Sequence, residues 1–378
     1  MAEIYFDNSS TTRVCREAAE AVMETMTENY GNPSSLHRKG FLAEQTMRGA
    51  RENVASLLAV QPEEVYFTSG GTESNNLALF GAARARKKRG KRIVTTAIEH
   101  PSVLNVMKRL EQEGFEVVYL KPDKEGRIAP EQIFEAVTPQ TILVSIMKVN
   151  NELGSVLPVE AAAEAIARAK APALLHVDAV QAFGKLALRP ERAGADLMSM
   201  SGHKIHGPKG VGALYVRRGV HLEPLTFGGG QEKDVRPGTE SVPLIAGLGA
   251  AVAALPDPAS ELPRMRALNG LLRAGLAEIP GVAVNSPADG LPYILNFSAG
   301  SVRAETMLHF LSDKGIYVSS GSACSKGRES YVLRAAGLPH ERIASSLRLS
   351  FSRFNTADEA QSFLAALKEG LAVLSIRG

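Results

Sequence analysis

The chain contains no tryptophan, and only two of its 378 residues are cysteines, Cys15 and Cys324. Two thiols cannot build a disulfide framework, and a chain so poor in cysteine is expected in a reducing compartment. Excess charge is also scarce: 43 basic against 40 acidic residues leave +3, too little to argue for nucleic acid or a membrane surface as partner. No run is long and apolar enough to span a bilayer. The opening Met1-Ala2-Glu3-Ile4-Tyr5-Phe6-Asp7 has no basic region ahead of an apolar stretch, so no signal peptide is read. These absences predict a cytoplasmic protein. Repeats, low-complexity tracts and metal-ligand clusters are also missing. A hydrophobic share of 44% and a charged share of 22% are those of an ordinary globular chain, long enough for two domains. The local basic run at 84–92 falls at a predicted helix end, where cations favour the dipole. It reads as a solvated terminus rather than a docking face for an acidic partner or tRNA.

Between residues 63 and 215, short apolar runs alternate with amphipathic stretches. Strands are predicted at 65–67, 93–95, 117–119, 142–147, 174–177 and 197–200, with helices at 74–88, 102–113 and 159–170 between them. This alternation predicts an α/β fold with a mostly parallel sheet sandwiched by helices, whose ligands bind beyond the carboxyl ends of the strands. Pro256-Asp257-Pro258-Ala259-Ser260 reads as a linker. Beyond it, helical stretches at 262–279 and 357–374 and extended ones at 293–297 and 347–351 suggest a smaller α+β domain. The expected division is a large cofactor-binding domain at 14–258. Residues 1–13 and 259–378 would form the small domain, carrying Cys324 and Arg348.

The segment Ser201-Gly202-His203-Lys204-Ile205-His206-Gly207-Pro208-Lys209-Gly210 carries the most information. A lysine directly after a buried strand, before a Gly-Pro turn, is poorly placed for solvation. Desolvation favours the neutral amine, which condenses with carbonyls, and such a Schiff base is how proteins hold pyridoxal phosphate. Ser201 and His203 could bind a phosphate beside it; a solvated strand-end lysine is the plain alternative. Phe67-Thr68-Ser69-Gly70-Gly71-Thr72-Glu73-Ser74-Asn75 passes from strand to helix through small residues. There the Gly71 backbone and the Thr72 hydroxyl could face an anion. Asp178, in His176-Val177-Asp178-Ala179-Val180-Gln181, could hold a pyridinium nitrogen protonated, with Gln181 on the ring's phenolic oxygen. An aspartate serving only as a helix cap is the alternative.

His100, in Ile98-Glu99-His100-Pro101-Ser102, could stack on an aromatic ring and move protons. Asn151, in Val149-Asn150-Asn151-Glu152, could contact a ring oxygen or a substrate carboxylate. Cys324 lies in Gly321-Ser322-Ala323-Cys324-Ser325-Lys326-Gly327-Arg328, whose cations would favour a reactive thiolate. Cys15, near a predicted helix start, reads as an ordinary thiol without a role. Arg348 stands among apolar neighbours in Ser346-Leu347-Arg348-Leu349, a costly position unless an acid joins it. A substrate carboxylate or an internal salt bridge would supply that acid.

These motifs, with Asn8 to Thr12, Tyr30-Gly31-Asn32-Pro33-Ser34-Ser35 and Arg236-Pro237-Gly238-Thr239, occur in an order that resembles the cysteine desulfurases. These belong to the class V branch of the fold-type I pyridoxal-phosphate enzymes. The resemblance runs along nearly the whole chain. It implies Lys204 as the Schiff-base lysine, Cys324 as the nucleophile that becomes a persulfide, His100 stacked on the cofactor, Asp178 at the pyridinium and Gln181 at the phenolic oxygen. It places Gly71, Thr72, Ser201 and His203 around the phosphate, joined by Thr239 from the second subunit of a homodimer. Arg348 and Asn151 would hold the carboxylate of L-cysteine. The expected products are L-alanine and sulfur for a protein acceptor, serving iron–sulfur cluster assembly or tRNA or cofactor thiolation. The stretch from Cys324 to Arg334 is shorter than in the housekeeping iron–sulfur desulfurases, and the chain ends soon after Leu374, so the acceptor stays open. A selenocysteine lyase or aminotransferase on the same scaffold, or a non-catalytic sulfur-relay subunit, are the competing expectations.

Overall fold

The computed structural model describes residues 3–320 and 329–374; Cys324 and its immediate neighbours lie outside the described residues. In chain order the strands are β1 (Ile4–Tyr5), β2 (Val65–Thr68), β3 (Arg92–Thr96), β4 (Glu116–Leu120), β5 (Thr141–Met147) and β6 (Leu174–Asp178). There follow β7 (Leu197–Ser201), β8 (Gly212–Val216), β9 (Val282–Val284), β10 (Ile294–Ala299), β11 (Ile316–Tyr317) and β12 (Ser346–Ser350). Seven of them form one sheet in the order β2-β8-β7-β6-β5-β3-β4. Strands β3 to β7 run parallel to one another, while β8 is antiparallel to both β2 and β7.

All residues of β5, β6 and β7 are buried, because helices cover both faces of the sheet. Their mostly apolar runs, broken only by Thr141, Ser145, His176, Asp178, Ser199 and Ser201, are the sequence signature of that double burial. Strand β8 is a departure from the sequence reading, which predicts no strand there. Only residues 202–211 separate it from β7, too few for a crossover, so the chain can return only as an antiparallel neighbour, with Ser201 opposite Gly212.

A second, three-stranded antiparallel sheet has the order β12-β10-β9. The helices Pro258–Ala277, Ala304–Asp313 and Ala357–Leu374 pack in the same region. The expected linker is instead the start of a helix. Asp257 accepts from the Ala259 N–H at 3.0 Å as its N-cap, and Pro258 occupies the first turn, where its missing N–H costs nothing. The N-terminal segment joins this second region. Strand β1 pairs with β11 in parallel, and Phe6, fully buried, meets Phe351 and Phe363 edge-on at 5.4 and 6.1 Å.

Among the described residues no single helix is long and apolar enough to cross a membrane. The apolar helix Val242–Ala253 owes its composition to burial between Arg16–Thr27 and Arg38–Leu58.

Candidate active site

The strand ends open into one cavity of about 800 Å³. Gly71, Thr72, His100, Asn151, Asp178, Gln181, Ser201, His203, Lys204 and Arg348 all line it. Thr239 does not, and Cys324 lies outside the described residues.

Two glycines shape one wall. Gly70 has φ +148°, which side chains rarely adopt, and a Cβ on Gly71 would fall 2.7 Å from Val180. The helix Gly71–Arg86 therefore starts flush against the end of β6, with Asn75 one turn in. Asp178 closes β6. Its Oδ1 accepts from the Val180 N–H at 3.0 Å and its Oδ2 from Asn75 Nδ2 at 2.9 Å. Lys204 ends the single helical turn after β7. Its Nζ donates to the carbonyls of Ser9 and Ser10 at 2.5 and 2.7 Å. Gln181 Nε2 reaches the same Ser9 carbonyl at 3.0 Å, and its Oε1 accepts from the buried Lys185 at 3.3 Å. Burial, helped by Arg348, pushes the Lys185 ammonium down to about 8.

His100 caps the helix Pro101–Gln112, its Nδ1 accepting from the Ser102 N–H at 3.2 Å and lying 2.8 Å from Ser102 Oγ. Burial lowers its pKa, the Asp178 carboxylate opposes that, and Lys204 adds to it. His203 and His206, behind Lys204, are both driven down to about 4, chiefly by burial. Arg348 is 2% exposed. Its guanidinium donates to Asp7 Oδ1 at 2.9 Å, Ser10 Oγ at 2.7 Å and the Asn151 carbonyl at 2.8 Å. The internal salt bridge weighed from the sequence is therefore present, with Asp7 as the acid.

Four polar atoms of cavity-lining residues are buried with no hydrogen-bond partner among the described residues: Ser9 Oγ, Asn75 Oδ1, Asn151 Oδ1 and Glu152 Oε1. Buried polar groups are normally satisfied, so these mark the cavity as built for a polar ligand. Burial raises the Glu152 carboxyl above its ordinary value, opposed by the Ser330 hydroxyl at 2.5 Å and by Arg348. Glu99, fully buried beside the site, is pushed up to about 8 by burial, against hydrogen bonds from Met147 and Thr96. Among the described residues no group of three or more His, Cys, Asp or Glu side chains is placed to hold a metal ion.

Sequence reasoning assigned nothing to Asp7, Asn75, Ser102, Glu152 or Lys185. Asn75, Ser102 and Glu152 sit inside motifs quoted for their neighbours, and the signal was a polar residue one to three positions from a chosen one. Lys185 left no such trace, because only its burial makes it unusual.

A mostly parallel sheet flanked by helices, with its cavity beyond the strand ends, defines the architecture of the fold-type I transferases. Within that class the chain belongs to the class-V aminotransferase family, whose model matches residues 4–363. It is 43% identical over 370 residues to a protein named cysteine desulfurase IscS from Methanosarcina thermophila, spanning 97% of this chain and 91% of that one. A protein of the same name from Serratia proteamaculans is 44% identical over 377 residues, covering 97% and 92%. A solved structure titled NifS-like protein superposes with a TM-score of 0.93 at 39% identity, over 98% of this chain and all of that one. A second, titled SspA in complex with cysteine, gives 0.83 at 35% identity, over 94% of this chain and all of the other.

The buried histidines make stability depend on pH. His176 bridges Ser145 and Ser199 at 2.9 Å each, and burial drives it down to about 4 from the ordinary 6.5. A depressed folded pKa means the unfolded chain takes up the proton first, so stability is lost as pH falls from 6.5 toward 4. His176→Gln should flatten that loss by roughly 3 kcal/mol in urea unfolding compared between neutral and acid pH. An unchanged pH slope would refute the assignment.

Proposed function

We propose that the chain is a pyridoxal-phosphate-dependent cysteine desulfurase, taking sulfur from L-cysteine and releasing L-alanine. The observation that carries this is a single cavity in which Lys204, Asp178, His100 and Arg348 meet, in a chain more than 40% identical to proteins named cysteine desulfurase. The cavity residues fit the cofactor: an amine able to bond a carbonyl, a carboxylate at a strand end, a small-residue turn opening a helix, and buried polar atoms awaiting partners. In this reading Lys204 holds the cofactor, Asp178 faces its ring nitrogen, Gln181 its phenolic oxygen and His100 its ring face. Gly71, Thr72, Ser201 and His203 surround its phosphate. When bound, the cofactor supplies an electron sink for bonds at the substrate α-carbon.

The chain's own residues do the rest. Arg348, with Asn151, holds the substrate carboxylate; Asp7 already neutralises the guanidinium, so the substrate shares an existing pair. Cys324 is the proposed nucleophile. Its sulfur bonds to the substrate sulfur as the substrate carbon–sulfur bond breaks, leaving a persulfide on the enzyme, and the carbon fragment takes up a proton to become alanine. Lys204 is the proposed proton carrier, with His100 beside it at the ring face. No external oxidant is required. The persulfide sulfur then passes to an acceptor protein, in iron–sulfur assembly or in tRNA or cofactor thiolation. A cytoplasmic location suits a reactive thiol.

A homodimer is part of the proposal. Met23, Met26, Tyr30, Leu36 and Phe41 stand exposed around the first two long helices. Phe227 is 87% exposed beside the Gly228-Gly229-Gly230 stretch. Such a set of apolar side chains suits a partner surface. Thr239, absent from its own chain's cavity, would then serve the partner's phosphate site.

Lys204→Ala should lose both the visible absorption of bound pyridoxal phosphate and all alanine formation. A variant that keeps the spectrum and a normal rate would remove Lys204 from its role. Cys324→Ser should bind cofactor and cysteine with altered absorption yet release no sulfide under reductant, since a hydroxyl is too weakly acidic to replace the thiolate. Normal sulfide release would end the nucleophile assignment. In sedimentation the holoenzyme should run as a dimer; a fully active monomer would refute that part.

A further inference from the structure

We infer that Ser102 and Asn75 are positioning residues that hold His100 in the tautomer carrying its proton on Nε2, so that His100 serves the reaction as a hydrogen-bond donor at that atom. Neither residue has an assigned role, and the inference follows from counting hydrogens. The Ser102 backbone N–H can only donate, and it points at His100 Nδ1 from 3.2 Å. The Asn75 amide has a fixed orientation. Its polar atom 2.9 Å from Asp178 Oδ2 faces a carboxylate oxygen and must be nitrogen, because two acceptors there would repel. The same nitrogen lies 2.8 Å from Ser102 Oγ. Nδ2 has two hydrogens, one for each acceptor. Ser102 Oγ therefore receives from Asn75, and its own hydrogen is left for His100 Nδ1 at 2.8 Å.

Two donors thus converge on Nδ1. A proton on that nitrogen would confront both, and the neutral ring keeps its hydrogen on Nε2. Burial acts in the same direction by disfavouring the doubly protonated ring. A neutral ring so held can give a hydrogen bond from Nε2 and cannot accept a proton there. Abstraction of a substrate proton then falls to another base, for which Lys204 is the cavity's candidate. Asn75, 1% exposed, also ties this arrangement to Asp178, so one amide spaces both groups.

The tautomer part stands on geometry alone; the donor part rests on the desulfurase reading. The test is nitrogen NMR of the full-length protein labelled at its eight histidines, with and without pyridoxal phosphate, using His100→Gln to assign the signals. The wild type should show an unprotonated, hydrogen-bond-accepting Nδ1 and a protonated Nε2. Ser102→Ala removes one of the two donors, so the Nδ1 signal should move toward a tautomer mixture. Alanine production should fall about ten- to a hundred-fold at an unchanged KM. Ser102→Thr, which keeps the hydroxyl, should restore both. A proton on Nδ1 in the wild type, or a signal unmoved by Ser102→Ala, overturns the inference. A moved signal with undiminished turnover overturns the donor role. If the wild type shows the Nε2 tautomer but makes no alanine from cysteine, the desulfurase reading fails and the tautomer assignment stands.

Discussion

A guanidinium at 2% exposure is the constraint around which the site is arranged. Taking Arg348 out of water costs several kcal/mol unless a countercharge and hydrogen-bond acceptors meet it. They come from two other stretches of chain: Asp7 and Ser10 from the N-terminal segment, the Asn151 carbonyl from the loop after β5. Satisfying one side chain on β12 therefore pulls the N-terminus and the large sheet to a common point. Removing Asp7 would take the carboxylate from a buried guanidinium, a change of a kind that costs about 3–5 kcal/mol.

The N-terminal segment, once drawn in, becomes the floor for the reactive groups. The Ser9 carbonyl accepts from both Lys204 and Gln181. Thr12 donates to the His203 carbonyl at 2.9 Å and accepts from the His206 N–H at 2.8 Å. A lysine and an amide from neighbouring strand ends are thus aligned by peptide groups that belong to neither strand. Packed backbone is a stiffer guide than a side chain, because it loses no rotamer freedom when it is used.

Several assignments depend on burial that turns charged groups into donors or acceptors of fixed sense. His176 and His203 are driven down to about 4, while Glu99 is pushed up to about 8. Around the cavity, proton positions follow from which atoms can only donate, as with the Ser102 and Val180 backbone N–H groups. Chemistry that moves protons needs such asymmetry, since a ring free to choose tautomers serves neither role well.

Much of this was written in local pattern. The apolar runs at β5, β6 and β7, the glycines before Thr72, the lysine after β7 and the arginine in β12 each stand out, because strand burial and turn geometry act on neighbours in sequence. The sequence by itself determined the α/β class and the strand-end residues that line the cavity. It could not show that β8 runs antiparallel, that Pro258 begins a helix rather than lying within a linker, or that Asp7 pairs with Arg348 across 341 positions. Nor could it single out Asn75, Ser102 or Lys185 from the many polar residues of ordinary helices. Those outcomes belong to the tertiary structure. Desolvation and hydrogen-bond satisfaction are settled among groups distant in sequence, and only their meeting in space decides which partner each takes.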